Sequence, residues 1–222
     1  MFALPRPAFI AAAAIVLAGA ASSAMAEVEL GFYGGVQGAN DSTVSIHRDS
    51  TLADREFAAA WDGKSLSMPL YWGVRATWWR DDNIGVGVDF THNKIHADGQ
   101  TLTDAGLNTL GFNDGLNILT LNIYKRWPQA FSFGTPYIGG GLGIAVPRVE
   151  VAGAGSNTAD YQVTGPAATW MAGLSYPIAD NWSLFGEYKG TYSMNTTDLN
   201  TGGTLETNVV TNAVNIGVTF NF

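Results

Sequence analysis

The chain has no cysteine, so no disulfide staples it and no thiolate can act as nucleophile or soft metal ligand. Histidine is almost missing too, with three residues in 222, which leaves few groups that titrate near neutral pH. Charge is scarce at 14% of residues, and only 11 of these are basic against 19 acidic. A basic face is therefore lacking. That excludes nucleic acid as a partner, because phosphate binding demands one. Beyond the N-terminus, no window reaches the roughly 18 uninterrupted apolar residues of a transmembrane helix. In place of charge the sequence is rich in glycine, 27 residues, and aromatics, 12%. Such a composition is unusual for a soluble domain and suits a chain whose outer surface meets lipid.

The N-terminus reads as an export leader. "MFALPRPAFIAAAAIVLAGAASSAMAEVEL" has one basic residue, Arg6, an apolar run from Phe9 to Ala21, and Ala24-Met25-Ala26 as a small-x-small cleavage site. The expectation is a cleaved signal peptide over 1–26 and one exported domain over 27–222. That domain has ten basic and nineteen acidic residues, a formal charge of −9.

Period-2 alternation occurs in eight segments. They are "VELGFYGGVQ", "PLYWGVRATWW", "IGVGVDFTH", "ILTLNIYKRW", "PYIGGGLGIAV", "ATWMAGLSY", "WSLFGEYKGTY" and "VTNAVNIGVTFNF". One face of each is apolar, as in Leu119, Leu121 and Ile123. The other is glycine, threonine, asparagine and lone charges rather than the dense charge of a soluble sandwich. That pattern fits a lipid-facing wall around a small polar lumen. Aromatics gather at strand ends, as an interfacial girdle would: Trp78 with Trp79, Trp127, Tyr176, Trp182 and Phe222. Short links, "RDDN" and "IADN", alternate with long ones, including a polar stretch of about thirty residues after the first strand. The fold expected is an all-β, eight-stranded antiparallel transmembrane up-and-down barrel of the bacterial outer membrane, its short turns periplasmic. Phe222 on the lipid-facing parity suits recognition by the barrel-assembly machinery. No second domain is evident, and a monomer is expected.

Six charges take the inward parity: Glu29, Arg75, Asp89, Arg126, Glu187 and Lys189. Ion pairs that fill and neutralise a narrow core account for such a set. Glu29, Arg75 and Arg126 fall near the periplasmic end on this reading, whereas Asp89, Glu187 and Lys189 lie nearer mid-barrel. Other polar groups belong to the extracellular rim: His92, Lys94 and His96, Asp114 and Asn117, Arg148 and Glu150, Tyr161 and Gln162. Rims are polar in any barrel, so single members carry little weight. Glycine-rich "GGGLGIAV" has no following helix, so it is no dinucleotide site, and no flavin motif is present.

Several segments together resemble a known family: "FYGGVQGAN", "WDGKSL…YWGVRATWW", "VGVDFTHNKIHAD", "GFNDGLNILTLNIYKRWP", "TPYIGGGLGIAVPRVEV", "YQVTGPA", "FGEYKGTYS" and "GGTLETNVVTNAVNIGV". They look like the outer-membrane lipid A oxidase family, over most of the exported chain. The resemblance implies an enzyme of the outer leaflet acting on lipopolysaccharide. It would oxidise the proximal glucosamine of lipid A at its anomeric carbon, once the 1-phosphate is gone, to give 2-aminogluconate, with dioxygen as acceptor and peroxide as by-product. It assigns no roles position by position, so these must come from chemistry. A base of near-neutral pKa must take the anomeric proton, which points to histidine. Without a flavin or nicotinamide motif, a redox or other divalent metal is the expected electron route. The expected catalytic groups are His92, His96, Lys94, Glu187 and Lys189. Candidate metal ligands are His92, Asp89, Asp114 and Glu150. Substrate would be held by Arg148, Asn117, Tyr161 and Gln162. Two other readings stand beside this one. One is a non-enzymatic structural or surface-interaction barrel. The other is a lipid A deacylase or acyltransferase, for which Ser45 and His47 are the nearest serine–histidine pair.

The stretch "VDFTHNKIHAD" poses the sharpest structural question. On a helix His92 and His96 would share a face; on a strand they lie roughly 13 Å apart and cannot grip one metal. Strand parity places Asp89 and Thr91 inward and His92 outward, unless a bulge turns it into the lumen mouth. The expected neighbour of His92 is Asp114 on the next strand.

Overall fold

Two opposite alternations run along the same strands, and the level where they meet sets the architecture. In the strand carrying residues 109–126, Leu119, Leu121 and Ile123 are exposed while Thr120, Asn122 and Tyr124 are buried. Farther up the same strand, Leu110, Phe112, Leu116 and Ile118 are the buried ones. Where lipid lies outside, apolar side chains turn outward. Where water lies outside, they turn inward. The change of rule between Ile118 and Leu119 therefore marks the outer edge of the membrane on this strand.

The computed structural model describes residues 27–68, 70–128, 130–153 and 155–222. The side chains of Asn113 and Asp114 and the leader expected over 1–26 lie outside the described residues. In chain order the elements are β1 (Glu27–Ala39), β2 (Ser42–His47), β3 (Arg55–Ala59), β4 (Trp61–Asp62), β5 (Trp72–Trp79), β6 (Ile84–Ala97), α1 (Gly99–Asp104), β7 (Thr109–Arg126), β8 (Thr135–Ala145), β9 (Arg148–Gly153), β10 (Ser156–Tyr161), β11 (Gly165–Pro177), β12 (Trp182–Asp198) and β13 (Thr204–Asn221). Eight of them close an antiparallel barrel in the order β1, β5, β6, β7, β8, β11, β12, β13 and back to β1. The register gives its stagger. From Glu29 the cross-strand partners run through Thr77, Gly87, Asn122, Gly141, Thr169, Thr191 and Thr211 and return to β1 at Ala39, ten residues further along. That offset tilts the strands and leaves an interior that side chains can fill.

The eight expected strands are these eight, but several run far past the membrane. β6, β7, β12 and β13 have 14, 18, 17 and 18 residues, whereas crossing needs about 9–11. The surplus builds an extracellular extension with its own core, which includes Val44, Ile46, Trp61, Ile95, Phe112, Leu116, Val149, Val151, Leu205 and Val209. Two expectations are corrected here. The stretch after β1 is not merely a solvated loop: it forms the β2–β3 hairpin and β4, whose Val44, Ile46 and Trp61 enter this core. Residues 193–209 are not a long loop either, since β12 and β13 stay paired up to Asp198 and Thr204 and turn over Leu199–Gly203. The turns at the other end are short, as expected; Asn83 N donates to Arg80 O at 2.9 Å and Trp182 N to Ala179 O at 3.3 Å. There Trp182, Phe220 and Phe222 pack edge to face, at centroid distances of 4.9 and 4.8 Å, as part of the lower aromatic girdle.

Candidate functional site

The rim histidines stand where parity places them. Asn93 of β6 opposes Leu116 of β7, but Ile95 opposes Phe112, so three β7 residues face the single Lys94. The bulge thus lies in β7, and both Leu116 and Phe112 keep facing the core. His92 is not turned into the lumen. It stays on the outer side of the wall, opposite Trp72 and Asn117. Its ring stacks on Trp72 at 5.9 Å, and Nδ1 lies 2.8 Å from Asn117 Oδ1. Gly115, in the bulge at φ +105°, roofs the imidazole: a Cβ there would stand 2.3 Å from the ring. His92 is consequently buried, and among the described residues its Nε2 has no hydrogen-bond partner. Asp114, the neighbour expected for His92, has its side chain outside the described residues; the partner described for His92 is Asn117.

Lys94 and His96 follow on the same face. Lys94 is buried and donates to Ser67 O at 3.3 Å and Met68 O at 2.8 Å, so it straps a loop to the wall. His96, above the membrane, pairs with Asp62 of β4 and Gly111 of β7. Partial burial, aided by the positive charges of Lys64 and Lys94, holds its pKa down at about 4. This fixes a sign. The folded state binds the His96 proton less readily than the unfolded chain, so its contribution to stability is intact above pH 6.5 and lost as pH falls toward 4. His96→Gln should flatten that slope in urea titrations between pH 7 and 4, by on the order of 1 kcal/mol after allowing for solvent screening.

The other rim candidates lie on the β9–β10 hairpin and beside it. Arg148 Nη1 bonds Glu150 Oε1 at 2.9 Å within β9, and Tyr161 stands opposite Arg148 on β10. Gln162 clasps the backbone of Asp198, donating to its carbonyl and accepting from its N–H, both at 2.9 Å. Asn117 also donates to Val146 O at 3.2 Å. These contacts fasten the hairpin to β12 and the link leading into it to β7. The expected metal donors do not come together. Asp89 points into the lumen, His92 points outward, Glu150 is paired with Arg148, and among the described residues no three His, Asp or Glu side chains could hold one ion. The described donors, Asp89, His92 and Glu150, do not fit a metal centre.

Inside, the charges do converge. Arg75 Nε donates to Asp89 Oδ2 at 3.2 Å, and Arg75 Nη2 donates to Glu187 Oε1 and Oε2 at 2.7 and 3.0 Å. Lys189 Nζ pairs with Asp89 Oδ1 and donates to Tyr33 Oη and Thr91 Oγ1, each at 2.6 Å. Tyr33 donates to Asp89 at 3.0 Å, Tyr137 to Glu187 at 2.8 Å, and Asn215 to Glu187 at 3.0 Å. Two cations and two carboxylates balance, all nearly inaccessible to water. Arg75 therefore belongs to the mid-barrel network rather than to the periplasmic end. β5 begins at Trp72, and its register sets Arg75 opposite Asp89. Glu29 and Arg126 do sit at that end, where Arg126 grips Glu27 (Nη1 to Oε1, 3.1 Å) and lies over Trp79. A cavity of about 270 Å³ lies between this end and the network, lined by Glu29, Thr77, Tyr124 and Phe185 among others. Tyr33, Tyr137 and Asn215 are the members that sequence reasoning missed as partners. Strand parity, which turns Tyr33 and Asn215 to the inner face, is the one signal that could have found them.

An eight-stranded wall with an apolar outer belt and a packed polar interior defines a small bacterial outer-membrane β-barrel protein. Neither a protein-family model nor a curated protein sequence matches the chain. Solved structures do match. The chain is similar to Neisserial surface protein A, at TM-score 0.51 and 15% identity over 88% of this chain and 97% of that one. It is similar to outer membrane protein OprG from Pseudomonas aeruginosa, at 0.56 and 14% over 88% and 95%. It is also similar to outer membrane protein AlkL, at 0.52 and 14% over 91% and 94%. These neighbours share the fold and the outer-membrane location; at such identities they carry no activity across.

Proposed function

We propose that the protein modifies lipid A in the outer leaflet, oxidising the anomeric carbon of its proximal glucosamine with dioxygen. The family resemblance over most of the exported chain supports this reading. The structural observation that carries it is the place of His92 on the membrane side of the wall at its outer edge, beside Asn117. That is the layer where lipid A sugars lie. Once the 1-phosphate is gone, loss of the anomeric C–H and O–H hydrogens sends two electrons and two protons to dioxygen, giving a lactone and hydrogen peroxide. Water then opens the lactone to 2-aminogluconate, a net gain of one oxygen atom. His92 would accept the hydroxyl proton through Nε2, the ring nitrogen without a partner among the described residues, once Trp72 or the Gly115 bulge yields. Lys94 and Arg148 would face sugar hydroxyls or phosphate. On this reading the leader is removed, the assembly machinery inserts a monomeric barrel, and lipopolysaccharide is the partner.

A second reading is favoured by a specific observation: among the described residues the expected metal donors are scattered, and the mid-barrel charges are consumed in neutral pairing. A non-enzymatic surface barrel needs neither to be otherwise. The acyl-hydrolase alternative has less to stand on, since Ser45 Oγ bonds Glu56 at 3.4 Å and His47 is exposed at the end of β2. Mass spectrometry of lipid A from cells with and without the protein separates all three. One oxygen gained at the proximal sugar is the expected result. Unchanged lipid A would leave the surface barrel standing, and a lost or gained acyl chain would point to the third reading.

A further inference from the structure

The barrel wall has a notch near its outer edge. The β1–β5 ladder ends at Gly34 opposite Trp72, and the β5–β6 ladder ends at Trp72 opposite His92. β1 continues to Ala39 and β6 to Ala97 without pairing to each other. Residues 60–68, with Leu70 and Tyr71, close the gap as a fastened strap. Gln37 N donates to Ser65 Oγ at 2.8 Å and Ser65 Oγ donates to Gln37 O at 2.9 Å. Gln37 Nε2 donates to Gly63 O at 2.7 Å and also to Lys94 O. Lys94 holds Ser67 and Met68 by their carbonyls, and Tyr71 N donates to Ser65 O at 3.1 Å.

This ordered strap presents apolar side chains outward. Leu66 is 79% exposed, Met68 80% and Leu70 46%. Each would be stabilised if lipid replaced water against it. They stand beside Val36, which lies next to Gln37 on the lipid face and is itself exposed. Below them a groove of about 230 Å³ runs over the membrane face, lined by Phe32, Gly34, Leu184, Ile216 and Val218. Gly34 leaves the slot open: a Cβ there would meet only Tyr71 O, at 3.5 Å, and Tyr71 belongs to the strap. Groove, strap and lipid belt form one continuous surface.

We propose that this surface is a binding site for an acyl chain of an outer-leaflet lipid. The groove over Gly34 takes the chain, and Leu66, Met68 and Leu70 cover its headgroup end. The inference rests on the outer-membrane placement and is independent of the oxidation reading. The absence of cysteine makes the test clean. Spin labels are placed singly at Met68→Cys and Leu66→Cys in the full barrel, reconstituted in lipopolysaccharide-containing bilayers. Ile216→Cys marks the belt and Thr51→Cys marks water. Collision with oxygen against a nickel chelate should resemble Ile216 at both strap positions. Resemblance to Thr51 would overturn the proposal, and spin–spin broadening between copies would assign the surface to a second barrel instead. Gly34→Leu, which fills the slot, should cut the lipid retained through gentle detergent extraction, read by mass spectrometry. Unchanged retention would remove the groove from the site.

Discussion

An Arg75→Met barrel should unfold in urea at a clearly lower midpoint than the parent, with a loss of about 3–5 kcal/mol. Among the described residues Arg75 is the only group that touches both carboxylates of the mid-barrel network, Asp89 at 3.2 Å and Glu187 at 2.7 and 3.0 Å. Its guanidinium also lies 5.1 Å from the Tyr33 ring centre and 5.3 Å from that of Phe185. Without it, Asp89 keeps Lys189, but Glu187 retains only the Tyr137 and Asn215 hydrogen bonds. A carboxylate in a dry interior with neutral donors alone is the costly half of a broken ion pair. Arg75→Met with Glu187→Gln removes the stranded charge and should recover much of the loss. The two single changes and the double change form a cycle whose coupling isolates the pair. A single variant within about 0.5 kcal/mol of the parent would mean that the network behaves like a surface pair.

That network also shows what could and could not be read from the sequence. Period-2 alternation exposed the membrane half, because lipid outside and polar packing inside give opposite characters to neighbouring residues. It placed Asp89, Glu187 and Lys189 inward, and their burial follows. It did not bring Arg75 to them, because that meeting depends on cross-strand register and the ten-residue stagger, which no local pattern encodes. The extracellular half was harder for a different reason. On β12, Ser193, Asn195 and Thr197 face inward and are buried, while Thr196 and Asp198 face water. Both faces are polar, so alternation vanishes although the strand continues. On β2 and β9 the strands are only six residues long and read as loop. His92 lies between these cases. Parity gave its side of the wall correctly, but the roof over it comes from a three-residue bulge in β7, set by Gly115 at φ +105°.

Replacing His92 is the most direct trial of the lipid A reading, and the contacts around it say what else the change does. His92→Ala removes a ring stacked on Trp72 and a partner of Asn117, which keeps its bond to Val146 O. The interior network and the apolar belt are untouched, so insertion and heat-modifiable migration should be normal. If His92 takes the anomeric proton, oxidation of lipid A should fall by about 10²–10⁴-fold, the usual contribution of a positioned base. His92→Gln separates chemistry from shape. Its amide can bond Asn117 and lie against Trp72, but it cannot accept the proton. Loss in both variants supports proton transfer at His92. Loss in His92→Ala with activity in His92→Gln makes the residue a positioning group for Asn117 and Trp72. Full turnover in both removes His92 from the reaction, and the search then moves to His96, four residues along the same face and held neutral by its depressed pKa of about 4.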